Sequence, residues 1–213
     1  MEAQVAGIAM PDSDMAREAI TVAQQDMPDV LIRHAFRVFL FASLIGRWRM
    51  LTFSEPLLFV AAVFHHHGLA PRYRDSRRRF ELDGADAALE LLGRHGVADT
   101  EARKVWDAIA LHTTFGLGGF AAPLVELLHA GIETDLMARH FDEIPCADRA
   151  DVVRAYPRGR AFKSLVIEAL ADGMSWRSAT TFGTVNADVL DRCNPDFCRV
   201  NYCGLILGSE WDD

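Results

Sequence analysis

Hydrophobic residues recur at intervals of three and four along most of the chain, whereas the strict alternation typical of β-strands is scarce. This pattern predicts helices at about 12–26, 29–46, 54–67, 84–94, 99–113, 121–130, 133–140, 148–155 and 160–172. The segment from about 170 to 213 is less periodic and is expected to form a helical or irregular wrap. No repeat or long linker divides the chain. We therefore predict a single all-α domain, a helical bundle, over residues 1–213.

The most apolar predicted helix, 29–46, carries hydrophobic residues around much of its circumference and should lie in the middle of the domain. His34 lies inside this helix, where an unpaired imidazole is unfavourable. It is either a hydrogen-bonded core histidine or a ligand. Asp135, between Ile132 and Leu136, poses a similar choice. Its carboxylate either binds a cation or caps the short helix predicted to follow it.

Three consecutive histidines, His65, His66 and His67, end the predicted helix that begins at Ser54. Neutral imidazoles are good ligands for zinc and iron, and burial favours the neutral form. Neighbouring helical residues diverge by about 100°, so His65 and His66 can share a metal only where the helix loosens, and His67 would then point elsewhere. The alternative is a set of surface histidines at a helix C-terminus. Side chains from three separate helices can converge in a bundle core.

The net charge and the composition limit which kinds of binding partner are expected. The net charge of -8 disfavours nucleic acid, because an acidic surface repels phosphates. No apolar run reaches the ~18–20 residues of a membrane helix, so no membrane partner is expected. Cys193, Cys198 and Cys203 lack the close spacing of zinc knuckles, so they are not expected to bind zinc. Four cysteines in a chain of this length do not indicate a disulfide-bonded protein, so a cytoplasmic location is expected. One basic run is either a solvated loop or an anion-binding lid; it comprises Arg72, Arg74, Arg77, Arg78 and Arg79.

Six segments, in order between about residues 29 and 165, resemble a known family. They are RHAFR at 33–37, AAVFHHHGL at 61–69, RFELDGADAALELL at 79–92, VWDAIALHT at 105–113, GIETDL at 131–136 and YPR at 156–158. Together they are similar to the HD-domain superfamily of metal-dependent hydrolases, and more closely to its cyanamide hydratase-like branch. The resemblance implies an HD-domain bundle in which His34, His65 and Asp135 bind metal and Arg37 accompanies them.

The chain departs from this family at His66, which stands where the family has the aspartate of its HD pair. An imidazole has one free nitrogen and does not bridge two metals in its neutral form. The resemblance therefore implies one divalent metal ion held by His34, His65, Asp135 and His66. Zinc is the first choice and iron the second. Alternatively, His66 turns away and the site is degraded.

The function implied is that of a hydrolase or hydro-lyase that adds water to a small nitrile such as cyanamide through a metal-bound water. His67, His112 and Arg37 are the candidate catalytic residues; the alternatives are an exposed His67 and a buried His112 bonded to a carbonyl. The glycine-rich stretch 116–119 resembles a hinge or lid.

Three other functions are kept open. A phosphohydrolase acting on a nucleotide or phosphomonoester would use Arg37 and the basic run as its cations. A two-iron oxygenase is disfavoured by His66, because a bridged metal pair needs a shared ligand. A metal-binding protein of the same fold that has lost its activity is the third. The expected partner is a small-molecule substrate, and formation of a homodimer is left open.

Overall fold

The computed structural model describes residues 4–116 and 121–210. These residues form ten α-helices and one antiparallel pair of two-residue strands, so the all-α prediction is confirmed. The strands are β1 (Gln4–Val5) and β2 (Ile8–Ala9). The helices are α1 (Asp14–Asp26), α2 (Asp29–Trp48), α3 (Glu55–Phe64), α4 (Phe80–Arg94), α5 (Asp99–Leu111), α6 (Pro123–Met137), α7 (Cys146–Ala155), α8 (Phe162–Met174), α9 (Asn186–Cys193) and α10 (Tyr202–Leu207).

Helix α2 lies in the core, as its apolar pattern predicts, and packs mainly against α6 and α3. Every residue of α3 from Leu57 to Phe64 is buried, and α5 packs against both α3 and α6. Phe39 of α2 meets the ring of Phe59 edge-on at 5.2 Å. His34 lies on α2, His65 directly follows α3 and His112 directly follows α5.

One helix, α6, covers Pro123–Met137, so the two predicted helices at 121–130 and 133–140 were wrong. Gly131 does not interrupt the helix, because it serves close packing instead. A Cβ there would lie 2.5 Å from the carbonyl oxygen of Val38 on α2. The bare backbone lets the two helices approach and places Asp135, one turn along α6, opposite His34 of α2.

The histidine turn depends on a second close approach. Helix α3 ends at Phe64, and His66 has non-helical angles (φ -105°, ψ 1°) before a 3-10 turn at His67–Leu69. A Cβ on Gly68 would clash with the carbonyl of Phe80, and one on Gly84 would lie 2.8 Å from the carbonyl oxygen of Phe64. Glycines at both positions therefore let α4 pack directly on the histidine turn. Helix α4 begins at Phe80, four residues before the predicted start at residue 84.

The C-terminal part is more helical than its sequence pattern suggests. A 3-10 segment at Ser175–Thr181 leads to α9, which packs on α8. The four cysteines are free and exposed. The predicted lid at 116–119 lies, apart from Gly116, outside the described residues. Within the described ranges, no helix combines the length and hydropathy needed to cross a bilayer.

Replacing Gly131 by alanine should destabilise the protein by about 1–3 kcal/mol, because the added methyl group meets rigid backbone at the α2–α6 contact. Gly93→Ala on α4 is the matched control, since nothing lies within 4 Å of its added Cβ. That variant should be neutral or more stable by up to about 1 kcal/mol, through helix propensity. Urea unfolding measures both; equal effects would contradict the packing role of Gly131.

Candidate metal centre

Three histidines, His34 of α2, His65 at the end of α3 and His66 after it, form a compact group of potential ligands. One ligand atom of each lies within 4.8 Å of the others. His34 and His65 are fully buried, and His66 is 4% exposed. The convergence predicted from the sequence, including the loosening of the helix at His66, is thus seen for these three side chains.

Hydrogen bonds set the tautomers of His34 and His65. His34 donates from Nδ1 to Oδ2 of Asp135 over 2.6 Å, because an ionised carboxylate can only accept. His65 donates from Nδ1 to the carbonyl oxygen of Ala62, also over 2.6 Å. With Nδ1 as the donor, the neutral form of each ring has its lone pair on Nε2. The two Nε2 atoms face each other at 3.3 Å, an arrangement that is repulsive unless a cation or a proton lies between them.

The spacing of these nitrogens fits a shared metal ion. Two zinc–nitrogen bonds of about 2.05 Å at a tetrahedral angle separate their nitrogens by about 3.3 Å. Burial, with His112 and His34 nearby, lowers the pKa of His65 well below its usual value, which favours its neutral ring. Burial and His65 likewise lower the pKa of His66. Neutral rings are the form in which histidine binds metal.

His66 supplies a third donor. Its Nδ1 is buried and has no hydrogen-bond partner within the described part of the chain. A buried polar atom without a partner is costly, and coordination to a cation would satisfy it. The donor set of three neutral imidazoles suits zinc or ferrous iron and leaves a position for water or substrate.

Asp135 reaches the centre through His34. Its Oδ2 accepts from His34 and from Arg37 Nη2 (2.8 Å), and its Oδ1 accepts from Arg37 Nε (2.8 Å) and Arg158 Nη1 (2.9 Å). Burial alone would raise the pKa of Asp135, but the hydrogen bonds from His34 and Arg37 outweigh it and hold the pKa well below its usual value. In this geometry Asp135 orients His34, and the direct ligand role implied by the family resemblance stays a prediction.

Arg37 is fully buried and turned towards Asp135, with its Nη1 donating to the carbonyl of Tyr156 over 3.1 Å. Its guanidinium also lies 4.7 Å from the ring centre of Phe162. These contacts let Arg37 position Asp135, and its catalytic role stays a prediction. Arg158, in the YPR segment, also donates to Asp135. In the sequence it belongs to a family-like segment, but it was not predicted as a site residue.

His112 and His67 differ in where they point. His112 donates from Nδ1 to the carbonyl of Ile109 (2.6 Å), and its ring centre lies 5.2 Å from that of His65 and 5.5 Å from that of His66. Burial lowers the pKa of His112 to about 4. His112 is thus both a carbonyl-bonded buried histidine and a neighbour of the centre.

His67 turns away from the three histidines, as expected from its place on the turn. It packs against the rings of Phe64 and Tyr73, with its Nε2 3.8 Å from Oδ2 of Asp26. The alternative of an exposed His67 is wrong, because the side chain is buried, and burial lowers its pKa to about 4. The structure does not bring this candidate catalytic residue to the centre.

A cavity of about 430 Å³ opens beside the centre, with His66, His112 and Thr113 in its wall. Behind this wall lies Glu81, which is fully buried. Its Oε1 accepts from Thr113, from Arg79 (3.0 Å) and from Nδ2 of Asn186 (2.9 Å), and Asn186 also lines the cavity. Glu81 and Asn186 were not predicted as site residues. They are 105 residues apart in the chain, and the sequence around each of them gives no sign of their hydrogen bond.

The basic run at 72–79 is largely paired with carboxylates. Arg72 contacts Asp26 at 2.5 Å, Arg78 contacts Asp86 at 2.7 Å and Arg79 contacts Glu81 at 3.0 Å. Arg74 instead stacks on the ring of Trp176 at 4.4 Å. Carboxylates thus neutralise three of the five arginines, which favours the solvated-loop interpretation for that part of the run.

The chain matches no protein-family model, and no curated protein is significantly similar to it in sequence. The similarity to HD-domain hydrolases therefore depends on the six segments described above. The geometry of the three histidines does not depend on it.

The metal-free protein should lose stability as the pH falls from about 6.5 towards 4. The folded pKa of His112 is about 4, below the value near 6.5 of an unfolded chain, so the unfolded state takes up its proton first. The stability from this residue is complete above the unfolded pKa. Below the unfolded pKa, this contribution to the free energy of unfolding falls by up to about 1.4 kcal/mol per pH unit. Burial of His65 and His66 lowers their pKa values and acts in the same direction.

Urea unfolding with a chelator at pH 7.5, 6.5 and 5.5 measures this slope. His112→Gln should flatten it, because glutamine binds no proton in this range. A wild-type stability that rises with acidification, or a slope equal in the variant, would contradict the buried neutral state of His112.

Proposed function

We propose that this protein is a metal-dependent hydrolase or hydratase that uses one divalent ion to add water to an uncharged carbon electrophile. His34, His65 and His66 would hold the ion. One observation supports this most strongly: the Nε2 atoms of His34 and His65 face each other at 3.3 Å while both Nδ1 atoms are committed as donors. Zinc is the first candidate and ferrous iron the second, since both accept neutral nitrogen ligands.

When bound, such an ion would supply Lewis acidity and lower the pKa of a water towards about 7. The surrounding residues then have distinct tasks. Asp135, held by Arg37 and Arg158, keeps Nδ1 of His34 protonated and its Nε2 free for the ion. His66 lines the cavity, so a substrate can approach the ion from its side.

His112 is suited to orient the reacting groups. Because its Nδ1 donates to Ile109, the neutral ring presents Nε2 as an acceptor, and this atom has no partner among the described residues. It can accept a hydrogen bond from an attacking water or from an N–H group of the substrate. For a nitrile, water adds across the carbon–nitrogen triple bond: the oxygen joins the carbon and the protons move to the nitrogen. The product is an amide, or urea from cyanamide.

The phosphohydrolase alternative receives less support from the charges near the cavity. Arg37 and Arg79 are committed to Asp135 and Glu81. Among the described residues, Lys163 is the one cationic side chain in the cavity wall. A phosphate dianion brought next to the histidines would therefore lack the arginine pairs that usually bind it.

Purified protein is expected to bind about one zinc ion per chain, and His34→Ala should abolish the binding. His95→Ala is the control, because that histidine pairs with Glu18 at the surface, away from the centre. Elemental analysis after dialysis gives the metal content. Less than about 0.2 zinc per chain in the wild type, with stability unchanged by a chelator, would contradict the proposal and favour a protein without this chemistry.

Zinc-loaded protein should convert cyanamide or simple nitriles to urea or amides, and Asp135→Asn should weaken zinc affinity by about 10–100-fold, since asparagine holds His34 less firmly. Asp142→Asn, at an exposed position, is the matched control. Product analysis and zinc titration measure the two effects. Phosphate release from monoesters without amide or urea formation would instead support the phosphohydrolase.

A further inference from the structure

The cavity beside His66 is much larger than cyanamide requires. Cyanamide has three non-hydrogen atoms, which would fill about 90 Å³ even at the roughly 30 Å³ that each water occupies in the liquid. The cavity measures about 430 Å³, within the range of pockets that enclose larger organic ligands. A ligand that filled it would therefore extend well beyond the reacting group.

The wall of this cavity is mainly apolar. Eleven of its seventeen residues are hydrophobic, including Phe80, Phe162, Val166 and Leu170. The polar exceptions group by position: His66, His112, Thr113 and Asn186 are buried, whereas Lys163 and Asp188 are exposed. Asp188 is also paired with Arg199 at 2.5 Å. A ligand would thus meet a buried polar end at the histidines and an apolar body beyond it.

Part of the apolar wall comes from the C-terminal segment for which the sequence suggested no chemical role. Val185, Asn186 and Val189 line the cavity together with residues of α6 and α8. Asn186 is held in place by Glu81, and α9 packs on α8. The segment therefore completes the pocket, and its side chains help to determine which ligands fit.

We propose that the substrate is an uncharged molecule with a hydrophobic body, such as a longer aliphatic or an aromatic nitrile, whose polar group meets His66 and His112. This inference rests on the proposed function, since it names the substrate class of the same site. Burying the apolar body in this wall would contribute to binding. A carboxylate or phosphate beside the histidines would lose its hydration, because the one lysine or arginine among the described residues of the wall, Lys163, is exposed.

The test is a binding series with acetonitrile, butyronitrile and hexanenitrile, measured by ligand-observed NMR on the full chain, both metal-free and zinc-loaded. Each added methylene should lower Kd about fourfold, so butyronitrile, with two more methylenes, should bind about 16-fold more tightly than acetonitrile. Hexanoate, which has the same alkyl chain but a carboxylate, should bind the metal-free protein at least about tenfold more weakly than hexanenitrile.

Two variants on α8 locate the binding. Leu170→Trp fills the cavity and should raise the Kd of hexanenitrile at least about tenfold. Leu165→Trp places the same side chain at an exposed position outside this cavity and should leave the Kd unchanged. Circular dichroism and thermal unfolding establish that both variants are folded.

Equal Kd values along the nitrile series, hexanoate binding as tight as hexanenitrile, or equal effects of the two tryptophans would overturn the proposed substrate class. The proposed function fails differently, through absent zinc uptake. Chain-length dependence that persists without zinc uptake would contradict the metal chemistry and still support an uncharged apolar ligand in this cavity.

Discussion

A buried carboxylate links the fold of this protein to its candidate metal centre. The side chain of Asp135 is fully buried, and it is stabilised by Arg37, Arg158 and the Nδ1 proton of His34. Removing one partner of such a buried ion pair typically costs 3–5 kcal/mol, because the remaining charge stays without compensation. The same contacts leave Nε2 of His34 with its lone pair directed at His65. Stability and metal-binding geometry therefore depend on the same few atoms.

This arrangement requires close contact between backbones. Gly131 lets α6 approach α2 until Asp135 faces His34, and Gly68 with Gly84 lets α4 rest on the histidine turn. Interiors packed as tightly as organic crystals transmit such constraints over several residues. Glycines that carry no chemistry thus determine where the imidazoles meet.

Much of the fold could be predicted from helical periodicity. The burial cost of an unpaired imidazole marked His34 as a candidate, and the family resemblance grouped it with His65 and His66. The errors arose where a residue acts across the fold. In the sequence Gly131 suggests a break between two helices. In the structure it lies within one helix, and its lack of a side chain makes room for the carbonyl oxygen of Val38. Arg158 and Asn186 act through contacts with distant residues, which no local pattern encodes.

We propose that His34, His65 and His66 bind one divalent ion through neutral nitrogens. X-ray absorption at the zinc edge of the reconstituted protein measures this ligand set. We expect a first shell at about 2.0–2.1 Å with the scattering of three imidazoles, reduced to two in His66→Ala. A shell of oxygen ligands without imidazole scattering, or a spectrum identical in that variant, would contradict the claim.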